Sequence, residues 1–384
     1  MAKESCGVYI HIPFCLSKCH YCDFCSFPRA SEEKKIAYFA QLKKEVSSFA
    51  QTHRERIVVD SVYFGGGTPT CCSPKLLADL LAHIRAALSV TDHAEISVEC
   101  NPKTANTDSF RALRSAGFNR LSIGMQSAQE NELRALGRIH RHVDTVQTVC
   151  DARAAGFNNI SLDLMLGIPE QTRDSFHATL EEALALSPEH LSIYCLKIED
   201  GTRFAALADT LPFPQEDVVC DLYEEMIPWL SDRGLFQYEI SNFAKKGFAS
   251  RHNLKYWRRM PYIGFGVAAH SDIDGERIAH SRDFDAYLRG EDVTEDRRPI
   301  SRREAENEYM MLGLRLCQGV DESVFAENFG KTFDEFFGDR LKPYLDAGLA
   351  KKQGERLFLT PRGMLLSNTI LADLLDFQEN PIDN

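Results

Sequence analysis

Short runs rich in β-branched residues alternate along this chain with longer stretches whose apolar positions recur every three or four residues. The runs at 7–12 (GVYIHI), 56–64 (RIVVDSVYF), 95–99 (EISVE), 120–124 (RLSIG), 159–166 (NISLDLML) and 190–196 (HLSIYCL) read as strands. Helical periodicity covers 32–50 and 73–88, where Ser73 is placed to cap and Pro74 to open the helix. Further helical stretches lie near 105–116, 128–136, 142–155 and 172–186. The strands read as near-continuous apolar runs, and the βα rhythm predicts a parallel sheet covered by helices. Six such units are enough to close, fully or partly, into a TIM-like (β/α) barrel. The fold class expected is therefore α/β, a partial barrel.

Ligands of parallel α/β sheets sit beyond the C-terminal ends of the strands. The unusual segments fall there. GGGTPT follows the strand ending at Phe64, and ECNP, GMQS and LGIPEQT follow the next three strands. A group of cysteines follows the first. After about residue 297 the rhythm changes to helices near 301–317 and 333–347, a hairpin around Gly354 and a last helix. That order predicts a small winged-helix-like α+β domain, read as a packing or partner-docking unit. The expected divisions are a barrel over 1–240, a ligand-proximal segment over 241–296 and the C-terminal domain over 297–384.

Length and charge narrow the classes. With 44 basic against 56 acidic residues in 384, the net charge is −12, which argues against a nucleic-acid partner. No apolar run is long enough for a membrane span, and the N-terminus does not read as a signal peptide. We therefore expect no stable membrane insertion and a reducing, cytoplasmic setting. Of the twelve cysteines, eight are scattered and read as small buried hydrophobes.

The other four, Cys15, Cys19, Cys22 and Cys25, lie in PFCLSKCHYCDFCSF. Such local density points to a metal. Zinc sites pair one C-x2-C with a second, distant pair, and none follows here. Three thiolates on one short loop suit a [4Fe–4S] cluster whose fourth iron stays open to a ligand.

CLSKCHYC after a first strand and GGGTP after a second resemble the radical S-adenosylmethionine superfamily. YIHIPFC, GGGTPT, EISVECNP, RLSIGMQS, LGRIHRH, ISLDLMLGIPEQT, YEISNFA and LTPRGMLLSN together resemble its oxygen-independent coproporphyrinogen III oxidase-like family, over nearly the whole chain. The resemblance implies that Cys15, Cys19 and Cys22 hold the cluster. It implies that the open iron chelates S-adenosylmethionine, whose reductive cleavage releases a 5′-deoxyadenosyl radical. Tyr9, Gly66, Gly67, Thr68, Glu99, Gln126, Arg138 and Asp163 match the residues that contact this cofactor.

The oxidases of the family carry a fourth cysteine where this chain has Phe24, and they have a longer N-terminal arm. Both departures favour the other branch, the HemW-type heme chaperones, whose H-N-x-x-Y-W signature stands here as His252 to Trp257. That resemblance implies heme as a further cofactor, with His252, Tyr256 and Trp257 as candidate contacts, an acceptor protein for the heme and a reductant protein for the cluster. The alternatives are the oxidase, which decarboxylates propionates to vinyl groups, and a radical heme-degrading enzyme. Whether the chain is an enzyme stays open at this stage, and Cys25 reads as a bystander.

Overall fold

The computed structural model describes residues 3–375. The outermost residues of the first and last expected divisions, 1–2 and 376–384, lie outside the described residues. Six parallel strands form the centre: β1 (Glu4–Ile12), β2 (Ile57–Gly66), β3 (Val90–Cys100), β4 (Arg120–Gln126), β5 (Ile160–Leu166) and β6 (His190–Cys195). Helices α1 (Glu32–His53), α2 (Pro74–Ala87), α3 (Thr107–Ala116), α4 (Glu130–Ala135), α5 (His142–Ala154) and α6 (Arg173–Ala185) connect them and cover the outer face. Ser73 caps α2 by accepting from the Leu76 amide at 3.3 Å, with Pro74 at the first helical position.

The strands are not continuously apolar. They alternate, and this corrects the sequence expectation. Val8, Ile10, Ile12, Val62, Phe64, Ile96, Val98, Leu121, Ile123, Leu162, Leu164, Leu191 and Ile193 are buried in one core. Between them stand Tyr9, His11, Ser61, Tyr63, Ser97, Glu99, Ser122, Asp163, Ser192 and Tyr194, on the opposite, concave face. A closed cylinder packed with branched side chains needs apolar residues inside as well. Here the interior is polar because it is a lined chamber.

The sheet stays open. Residues after α6 add α7 (Arg203–Leu207), α8 (Glu216–Ser231) and an antiparallel pair, β7 (Phe236–Glu239) and β8 (Asn242–Ala244), beside β6. They then supply α9 (Arg251–Trp257) and β9 (Tyr262–Phe265), which pairs in parallel with β1. Three antiparallel strands follow, β10 (His270–Ile273), β11 (Glu276–His280) and β12 (Thr294–Pro299). The sheet order is β12-β11-β10-β9-β1-β2-β3-β4-β5-β6-β8-β7. The turn joining β10 to β11 is Asp274–Gly275, both at positive φ (56° and 75°), a hairpin signal present in the sequence.

A second core, built on Phe325, Phe329, Phe333, Phe337 and Leu357, lies in the C-terminal region. Its three strands, Val320–Asp321, Arg356–Leu359 and Ala350–Gln353, carry the hairpin at Gly354. The helix expected over 333–347 is broken at Gly338 (φ 57°) and resumes at Lys342, beside Pro343. The two cores meet where the Ile240 amide donates to Arg315 O (2.9 Å) and the Cys317 amide to Tyr238 O (3.1 Å). No helix among the described residues is long and apolar enough to cross a membrane.

Candidate cofactor site

The strand ends bring the expected residues together on one rim. The glycine loop after β2 is laced to the start of the cysteine loop by backbone bonds, Gly67 N–H to Ile12 O (2.9 Å) and Thr68 N–H to Phe14 O (2.7 Å). Only glycine fits this approach. A Cβ on Gly67 would lie 2.7 Å from Phe14 O, and one on Gly66, where φ is 107°, would lie 2.4 Å from the His11 ring. The Gly66 amide donates to Glu99 Oε2 (3.0 Å), and Tyr63 donates to Glu99 Oε1 (2.9 Å).

Arg138 is the hub. Its guanidinium donates to Gly124 O (2.8 Å), to Asn101 Oδ1 and toward Cys19 Sγ (3.5 Å). Asn101 in turn donates to Thr68 Oγ1 (2.6 Å), which lies 3.5 Å from Cys15 Sγ. Gly124 leaves the room: a Cβ there would stand 3.0 Å from Arg138 Nη2 and 2.9 Å from Gln126 Nε2. Gln126 itself is held at φ 64°, a conformation that non-glycine residues keep only when their surroundings enforce it.

Two carboxylates face the chamber. Burial, reinforced by the charge of Asp163, pushes Glu99 up to about 7. Burial likewise pushes Asp163 up to about 6, opposed by hydrogen bonds from Ser122 at 2.9 and 3.1 Å. Tyr9 stacks on Tyr63 at a centroid distance of 6.3 Å and donates its hydroxyl to His11 Nδ1 (3.0 Å). His11, kept neutral by burial at about 4, donates from Nε2 to Cys25 O (2.9 Å) and so ties the far end of the cysteine loop to β1. Cys25 enters the network through its carbonyl, and its side chain is buried in the main core.

Cys15, Cys19 and Cys22 share that loop and are half-buried. Among the described residues no three His, Cys, Asp or Glu side chains stand close enough to hold a metal ion. The Cys15 and Cys19 thiols face Thr68 and Arg138 instead. Thiolates converge when a cation neutralises them, and burial pushes the Cys15 thiol up to about 11. The donor set nevertheless suits a thiolate-held cluster. It has three soft sulfurs on one short loop, a backbone cradle that excludes any Cβ, and a small cleft bordered by Cys19, Thr68, Asn101 and Arg138.

The segment His252–Trp257 lies elsewhere. Helix α9 packs across the N-terminal end of the concave face, where a Cβ on Gly7 would lie 2.9 Å from Lys255 Cδ and 3.2 Å from His252 Cε1. Glu95 caps it, accepting from the amides of Arg251 (3.2 Å) and His252 (3.1 Å). Both His252 ring nitrogens are engaged, Nδ1 with Ser61 Oγ (3.0 Å) and Nε2 with Tyr256 OH (2.8 Å), and the ring stacks on Tyr63. Burial and the neighbouring Lys255 lower its basicity to about 3. The side chain is fully enclosed, so this geometry does not offer His252 to a macrocycle. Trp257 is partly buried at the end of the same helix.

The structure adds Asn101, His11 and Tyr63 to the residues expected from the sequence. Asn101 sits in the quoted ECNP, and His11 and Tyr63 share the alternation of Tyr9 and Gly65, so the signal was the period of two.

Residues 9–183 match the Radical SAM superfamily, and residues 300–366 match the HemN C-terminal domain. The fold resembles that of coproporphyrinogen III oxidase (HemN) from Escherichia coli, with a TM-score of 0.85 over 98% of this chain and 91% of that one, at 23% identity. A polar chamber under a cysteine loop and a glycine cradle, on this fold, defines a radical S-adenosylmethionine protein, a class that implies a [4Fe–4S] cluster and S-adenosylmethionine. Heme chaperone HemW of Bacillus subtilis is 36% identical over 96% of this chain and 99% of its own length. HemW of Escherichia coli is 34% identical over 95% and 97%. The chain belongs to the HemW family.

Proposed function

We propose that this protein binds heme and delivers it to an acceptor apoprotein, with a [4Fe–4S] cluster on Cys15, Cys19 and Cys22 and S-adenosylmethionine beside it. The observation that carries this reading is the end-to-end similarity to proteins named as heme chaperones, at 36% identity in the Bacillus subtilis case. Likeness to the oxidase is one of fold, at 23% identity. Phe24 supports the same reading. It stands 68% exposed on the cysteine loop, where an oxidase would carry its additional thiol.

In this reading the chain's own groups divide the work. Cys15, Cys19 and Cys22 would hold the cluster, which when bound would supply electrons taken from a reductant protein. Arg138 pairs with the methionine carboxylate. Glu99 and Asp163 accept from ribose hydroxyls, and Tyr9, Gly66, Gly67, Thr68 and Gln126 line the cofactor. The HNLKYW segment would support the floor of the chamber, with His252 already engaged at both nitrogens and so not offered to heme.

The test is direct. The anaerobically reconstituted protein is mixed with heme, then with coproporphyrinogen III, S-adenosylmethionine and dithionite. Stable heme binding with no tetrapyrrole turnover, and heme transfer to an apo-hemoprotein, are the expected results. Accumulation of protoporphyrinogen would establish the oxidase, and loss of the heme absorption with open-chain product would establish heme degradation.

A further inference from the structure

We propose that His20, Gly137 and Arg203 form a clasp that seats the cysteine loop before any cluster binds, with His20 as a positioning residue. His20 stands between Cys19 and Cys22, and four bonds hold it. Its amide donates to Leu136 O (3.0 Å), and its carbonyl accepts from the Phe204 amide (3.0 Å). Nδ1 lies 3.0 Å from Ala135 O, so it carries the proton and donates there. Nε2 is then an acceptor, and Arg203 Nη1 donates to it at 2.9 Å.

The ring sits against Gly137, at φ 73°, where a Cβ would stand 2.6 Å from His20 Cδ2. Tyr21 and Phe204 pack beside it in a small apolar cluster with Leu136, Met165 and Ile168. The end of α4 and the link to α5, which receive His20, also carry Arg138, which reaches Cys19 and Gly124. The clasp therefore fixes two cysteines relative to the arginine that would hold the cofactor carboxylate. Fixing the loop in advance removes ordering entropy from cluster assembly.

This inference rests on the reading that Cys15, Cys19 and Cys22 hold the cluster, and the experiment separates the two. Four full-length variants are compared with wild type: Gly137→Ala, His20→Ala, the double variant, and Gly156→Ala. Gly156 also has positive φ (90°), but a Cβ there meets nothing within 4 Å, so it reports the backbone cost alone. Amide hydrogen exchange across 15–25 is measured on the cluster-free proteins, and iron content and cluster midpoint potential on the reconstituted ones. We expect Gly137→Ala and His20→Ala each to speed loop exchange at least tenfold, to lower retained iron about threefold and to shift the potential. The double variant should exceed His20→Ala by no more than the backbone cost that Gly156→Ala reports, because the two otherwise act through one contact. Equal behaviour of Gly137→Ala and Gly156→Ala, or losses in the double variant that stay fully additive after that backbone cost is subtracted, would overturn the clasp. Unchanged exchange in His20→Ala would do the same. Wild-type protein that takes up no iron would instead sink the cluster reading and leave the exchange result standing.

Discussion

Glu99 and Asp163 show what the chamber demands of single residues. Both are acids whose folded affinity for a proton is raised, Glu99 to about 7 and Asp163 to about 6. The sign of the linkage follows from that. A raised carboxyl contributes its stability below its unfolded value and loses it as pH rises through the folded one. The cofactor-free protein should therefore lose stability between about pH 4 and 7, the window set by these two groups. We expect Glu99→Gln to raise the melting temperature of the cofactor-free protein at pH 8 by a few degrees and to leave it nearly unchanged at pH 4. The same variant should weaken S-adenosylmethionine binding by tenfold or more, measured by calorimetry. A melting curve that shifts equally at both pH values would contradict the assignment. The pair is costly to the empty protein and useful to the loaded one, a familiar exchange of stability for binding.

At the scale of elements, the strands and caps were plain in the sequence and the chamber was not. The six parallel strands fall within a few residues of the expected runs because β-branched alternation and flanking turns are local signals. The polar positions inside those runs carried the site, but reading the runs as continuously apolar hid the face they make. Helix α9 was equally hidden. HNLKYW reads as a ligand motif, yet its place is fixed by partners such as Ser61 and Glu95, which are more than 150 residues away in sequence. No local pattern can reveal a contact of that kind. We expect His252→Ala to destabilise the protein by about 2–4 kcal/mol, since it opens a cavity and strips partners from Ser61 and Tyr256. Heme affinity per folded molecule should stay the same, as followed by heme titration beside a denaturation curve. A selective loss of the heme spectrum in a protein of unchanged stability would make His252 a ligand after all.

The whole molecule joins two cores along a seam that also carries Glu308, paired with Arg259 and Arg277. The seam includes the backbone bonds at Ile240 and Cys317, and Tyr223, whose hydroxyl donates to Ile240 O at 2.7 Å from the middle of α8. We expect Tyr223→Phe to cost about 1 kcal/mol and to raise proteolytic nicking near the seam, while cofactor binding at the distant rim is unchanged. Loss of cluster in that variant would mean that the C-terminal region supports the site directly. That region was legible as helices and a hairpin at Gly354. Its helix break at Gly338 and restart beside Pro343 were present as residues but masked by the apolar periodicity around them.

The alternation of the six strands has a consequence for how such a chain can vary. Each strand gives one face to the core and the other to the chamber, so the same few residues write two messages in interleaved letters. A single residue inserted or deleted within a strand would exchange the two faces, sending Glu99 or Asp163 toward the helices and a leucine or valine toward the cofactor. Such a change damages folding and chemistry together unless a bulge takes up the extra residue. Length inside these strands is held everywhere except at bulges such as those at Asp60 and Met125, where one extra residue is already absorbed.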